Sequence, residues 1–90
     1  KMKIKLELFG ATRDFSNKDY LNFNIKHKIE IKEFRKEIIN YLDKNFKGNE
    51  SFIKIVKSSV FCSEDNNIVN DNFKIIKDQK IGIIPPIGGG

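Results

Sequence analysis

An α+β fold, in which one mixed sheet wraps a single main helix and releases an extended tail, is the architecture this 90-residue sequence predicts. Three observations predict it. Two early segments, Lys3–Leu8 and Tyr20–Ile25, alternate polar and apolar residues at period two. An apolar stripe at helical spacing follows, from Ile31 to Phe46. The chain then closes on an apolar segment, Lys80–Ile84, that runs into Pro85, Pro86, Ile87 and three glycines.

In the first segment Ile4, Leu6 and Leu8 fall on one side of an extended chain, which is the pattern of a strand with one buried face, and Gly10 ends it. Leu21, Phe23 and Ile25 repeat the pattern, and the short loop between the two segments suits an antiparallel hairpin. The helix carries Ile31, Phe34, Ile38 and Leu42 on one stripe, with Ile39 and Phe46 a step round and Lys32, Glu33, Lys36, Glu37, Asn40, Asp43 and Lys44 opposite. Glu30 and Glu33 near its start and Lys44 and Lys47 near its end complement the helix dipole, and Gly48 suits a left-handed C-terminal cap. Phe52–Val56 and Ser59–Cys62 are expected as strands broken by Lys57-Ser58. Ser63–Asn67 is expected as a turn, Ile68-Val69 as a short strand and Asn70–Asn72 as a second turn. The closing strand, apolar at Ile81, Ile83 and Ile84, is expected in the centre of the sheet, buried on both faces. This order fits a β-grasp fold, with residues 1–84 as the domain and 85–90 as the tail.

The ending carries the functional reading. Two prolines donate no N–H and fix φ, so the β-ladder stops and the chain leaves the body extended. Glycine has no Cβ, so Gly88, Gly89 and Gly90 can thread a channel too narrow for other residues, and the terminal carboxylate of Gly90 is unshielded. Six residues reach about 20 Å at ~3.3 Å each. An apolar, stiffened lead-in is not what a floppy linker needs.

At this point the sequence resembles the small subunit of molybdopterin synthase, a ubiquitin-like sulfur carrier. Pro85-Pro86-Ile87-Gly88-Gly89-Gly90 is similar to that family's Pro-Pro-Val-x-Gly-Gly terminus, Leu8–Phe15 to its first strand and turn, and Ile31–Arg35 to its helix start. The resemblance implies that Gly90 is adenylated by an activating enzyme using ATP and converted to a thiocarboxylate with sulfur from a donor system. It implies further that the sulfur is delivered inside the large synthase subunit, in a heterotetramer, to cyclic pyranopterin monophosphate. It also implies that Phe9, Arg13 and Ile84 lie on the docking face, with Pro85, Pro86, Ile87, Gly88 and Gly89 in the threaded segment. Phe9 and Ile84 could equally be core residues, and Arg13 an exposed turn residue. Lys77-Asp78-Gln79 departs from the family's Asp-Gly-Asp turn, and Glu30 replaces its small capping residue. The run of three glycines leaves the thiamine sulfur carrier as an alternative, with a ubiquitin-like modifier or binding module as another.

The chain shows no active site of its own. His27, the only histidine, sits between lysines as a solvated residue, and no Cys/His set for zinc or glycine-rich phosphate loop is present, so no bound metal or tightly held cofactor is expected. Cys62, the only cysteine, reads as a small buried apolar residue, excludes an internal disulfide and makes a reducing cytoplasm the expected location. Glu64 and Asp65 read as solvated turn residues. The net charge of +5 comes from lysines spread through every segment and interleaved with acids, with only two arginines, Arg13 and Arg35. Specific nucleic-acid binding is therefore not expected. No apolar run reaches the roughly 18 residues of a membrane span, and no signal peptide is evident. Lys1 precedes Met2, which makes Met2 a candidate start.

Overall fold

The computed structural model describes residues 1–87. Strand β1 (Met2–Leu8) leads into a 3-10 segment (Gly10–Phe15), and β2 (Tyr20–Ile25) and a short β3 (Ile29–Glu30) follow. Helices α1 (Ile31–Asn45) and α2 (Glu50–Ser58) come next, then β4 (Val60–Cys62), β5 (Ile68–Val69), β6 (Lys74–Ile75) and β7 (Gln79–Ile84). Five strands form a mixed sheet in the order β2-β1-β7-β4-β5, and β3 and β6 pair as a separate ribbon. The β1–β7 pair is parallel and the others are antiparallel.

The period-two segments form the expected hairpin, with Ile4 opposite Phe23 and Leu6 opposite Leu21. Ile4, Leu6, Leu8, Ile81, Ile83 and Phe61 point to the helix side and are buried against Ile31, Phe34, Ile38 and Leu42 of α1. At its N-terminus the backbone N–H of Glu30 donates to Glu33 Oε1 at 2.9 Å. At the other end Gly48, with φ +69°, donates its N–H to Asp43 O. The closing strand is central as expected, and Ile81, Gly82 and Ile83 are buried.

Phe52–Val56 is not a strand but the body of α2. Burial at Phe52, Ile55, Val56 and Ser59 follows helical spacing, and the side chain of Asn49 caps the helix by accepting from Phe52 N–H at 3.1 Å. A short β-branched apolar run is ambiguous by periodicity, and packing decides it. Phe52 packs against Phe15 and Phe46 with ring centroids 5.0 and 5.1 Å away, tilted to the first and edge-on to the second. Arg35 then ties α2 to α1. Its Nη1 donates to the carbonyls of Val56 and Ser59 at 2.7 and 2.8 Å, its Nη2 to Asp71 Oδ1 at 2.8 Å, and its guanidinium lies over the Phe61 ring. The short pair β3–β6 carries too few residues to leave a periodic signal.

In the altered turn before the last strand, Asp78 Oδ1 accepts from the backbone N–H of Lys3 at 2.8 Å, holding the starts of β1 and β7 together. Glu64, in the exposed turn Ser63–Asn67, accepts from Lys80 N–H through its carboxylate at 3.2 Å. It is a turn anchor rather than a merely solvated acid.

Candidate functional site

The tail departs from the middle of the sheet. Ile84, the last residue of β7, pairs with Val60 of β4, and Pro85 folds over the start of the 3-10 segment. Gly10 makes that approach possible on two counts. Its φ of +55° is the left-handed conformation, and a Cβ there would stand 3.1 Å from Pro85 Cγ. The strand at the sheet's centre and the proline seated on Gly10 together fix the direction in which the neck leaves.

Phe9 is held just as firmly. The buried Thr12 hydroxyl donates to Phe9 O at 2.6 Å and accepts from Phe9 N–H at 2.9 Å, while Thr12 N–H donates to the same carbonyl at 3.1 Å. The Phe9 ring therefore lies across the outer face of the sheet above Gly82. A Cβ on Gly82 would meet its Cε2 at 3.1 Å and Cys62 Sγ at 2.6 Å. Cys62 is thus a half-buried outer-face residue, not the core residue expected of it, because its neighbour Phe61 takes the inward position.

By register, Val60 lies beside Ile84, and Cys62 lies between Gly82 and Ile68. With Phe9 they form an apolar area at the exit of the tail, in which Phe9 is 40%, Val60 44% and Ile68 63% exposed. The rest of the outer face is polar: Lys3, Lys5, Glu7, Asn22 and Asn24, with Lys5 Nζ 4.4 Å above the Tyr20 ring and Lys80 ion-paired to Glu7 at 3.7 Å.

Two concavities flank the neck. One of about 390 Å³ lies on the sheet side among Phe9, Gly10, Ile84, Pro85 and Ile87. The other, of about 490 Å³, lies on the α2 side among Ala11, Ser51, Lys54, Ile55, Pro85 and Pro86.

The residues expected at a docking face are therefore placed as follows. Phe9 and Ile84 meet at the tail exit, and neither is core. Arg13 is exposed on the 3-10 segment, with no side-chain hydrogen bond or ion pair among the described residues. Pro85 and Pro86 form the neck, and Ile87 beyond them is fully exposed. Gly88, Gly89 and Gly90 lie outside the described residues. His27 is exposed in the loop after β2, far along the sequence from the neck. Sequence reasoning missed Val60, Ile68 and Gly82; Val60 and Cys62 flanking Phe61 was the available signal, since period two sends them to the face opposite the core.

No family model matches the sequence, and no curated protein matches it either. Solved structures do. A Pyrococcus furiosus protein, provisionally assigned as molybdopterin converting factor, subunit 1, superimposes with a TM-score of 0.71 at 16% identity, covering 97% of this chain and 100% of the other. SAMP1 from Haloferax volcanii gives a TM-score of 0.67 at 9% identity, covering 98% of this chain and 99% of its own. The fold is the ubiquitin-like β-grasp. At these identities the likeness establishes the fold, over the full length of both neighbours. It agrees with the resemblance carried independently by the two ends of the sequence. No helix among the described residues is long and apolar enough to cross a membrane.

Proposed function

We propose that this β-grasp protein is the sulfur-carrying small subunit of a molybdopterin synthase, and that the carboxylate of Gly90 is its reactive group. The observation that carries this reading is the neck. An apolar, proline-stiffened segment leaves the central strand in a fixed direction, beside an exposed apolar surface, toward glycines that any narrow active site can admit. A carboxylate is a poor electrophile until one oxygen becomes a leaving group. An activating enzyme would join it to ATP, releasing pyrophosphate and forming an acyl-adenylate. A sulfur nucleophile from a donor system would then displace AMP and leave a thiocarboxylate. Inside the large subunit, that sulfur would bond to a carbon of cyclic pyranopterin monophosphate as an oxygen substituent of that carbon leaves, and water would then cleave the resulting thioester, leaving the sulfur on the pterin and returning Gly90 to the carboxylate. In this reading the reacting group is on the tail and not on the folded body. Its part is to dock, through Phe9, Ile84, Val60 and Ile68 with Arg13 at the rim, and to hold the neck on line.

Docking needs the body because ordering the tail costs about 1–2 kcal/mol per residue, which bare glycines cannot offset. The test is intact-mass analysis after incubation with a matching activating enzyme, ATP and a sulfur source. One oxygen of Gly90 should be replaced by sulfur. A mass change that maps to Cys62, or none at all, would overturn the proposal.

A further inference from the structure

The groove between α2 and the neck is not needed to explain the apolar sheet face, yet it shares Pro85, Pro86 and Ala11 with the cavity on that side. Ala11 and the two prolines thus form a ridge with a concavity on each flank. An enzyme that encloses the residues after Ile87 and also packs on this ridge meets a concave surface on each flank. The area required points the same way. A stable subunit pair engages about 20–30 residues per side. Among the described residues, the exposed apolar side chains at the exit on the sheet side are Phe9, Val60, Ile68 and Ile87, with the half-buried Ile84. An interface that spreads from this patch over the neck meets the α2 groove as the adjoining concave surface.

The groove's chemistry is specific. Ala11, Ile55, Pro85 and Pro86 give it apolar walls, Ser51 and Ser58 add hydroxyls, and among the described residues Lys54 is the only charged one that lines it. Lys54 is exposed on the solvent side of α2 and makes no ion pair among the described residues. We propose that the large synthase subunit grips the neck from both sides, placing in this groove an apolar side chain flanked by a carboxylate that pairs with Lys54. This rests on the proposed function, which supplies the occupant.

Two exposed α2 positions allow the groove to be altered without touching the core: Lys54→Glu reverses its charge and Ser51→Trp fills it. Each is titrated calorimetrically against the purified large subunit at low and high salt, beside thermal melts, with Phe9→Ala and the remote Lys26→Glu as references. Both groove variants should bind about tenfold more weakly, with unchanged melting. The Lys54→Glu loss should shrink at high salt and the Ser51→Trp loss should not, because only the first is electrostatic. Native affinity in both groove variants while Phe9→Ala binds weakly would overturn the two-sided grip and leave the sheet-face reading standing. An equal loss in Lys26→Glu would also overturn it, as an unspecific effect of charge. If the native protein does not bind the large subunit at all, the proposed function fails and the grip fails with it.

Discussion

Replacing Gly82 with alanine puts a methyl group where the structure has least room for one. The new Cβ would stand 2.6 Å from Cys62 Sγ and 3.1 Å from the Phe9 ring, so either β4 or the ring must give way. Overpacking of this kind costs about 1–3 kcal/mol. Against that, alanine restricts the unfolded chain and returns about 0.4–1 kcal/mol. The net expectation is a loss of about 1–2 kcal/mol, or roughly 4–16 °C in the melting midpoint of so small a domain. Urea unfolding measures it, with an unchanged m-value showing that the loss lies in the folded state. The decisive comparison is the same substitution in the Cys62→Ala background. With Sγ gone the tightest contact vanishes, and the cost should fall by about 1 kcal/mol, the size of coupling that neighbours in contact show. Equal costs in the two backgrounds would refute the steric account. Gly82 is buried and cannot touch a partner, yet Gly82→Ala should also weaken docking, because it unseats Phe9.

Phe9→Ala should weaken binding to a large synthase subunit by about 1–4 kcal/mol, as truncation of an interface aromatic does, with little change in the thermal melt. Arg35→Met removes the side-chain donor from the carbonyls of Val56 and Ser59, of which Val56 O keeps the Ser59 N–H at 3.3 Å, and should cost about 1–3 kcal/mol in urea unfolding, and Arg35→Lys should recover only part because it lacks the planar fork. Thr12→Val, which keeps the shape but strips Phe9 N–H of its acceptor, should cost about 1–3 kcal/mol by the same assay. Adding one residue after Gly90 should leave the melt unchanged while abolishing sulfur transfer in a reconstituted assay; retained transfer would refute a carboxylate mechanism.

The local elements whose patterns run for several residues were legible in the sequence. Period two in β1 and β2 set which side chains face the core, the stripe from Ile31 to Phe46 set the buried face of α1, and Gly48 marked its end. The apolar closing segment was recognisable as the central strand, and the proline neck as the point where the ladder stops. Each of these follows from backbone geometry acting over neighbouring residues, which a sequence states directly. The tertiary structure alone decided the rest. Phe52–Val56 suits a strand or a helix equally until Phe52 packs against Phe15 and Phe46 and Val56 is buried in the core. Nothing local to Gly82 announces that Phe9, seventy-three residues away, must lie across it. Nor does anything in Val60 or Ile68 reveal that the first stands beside Ile84 and the second beside Cys62. Those neighbours are set by the crossover that brings β7 between β1 and β4, and pairing at such separation is fixed by how the whole core packs.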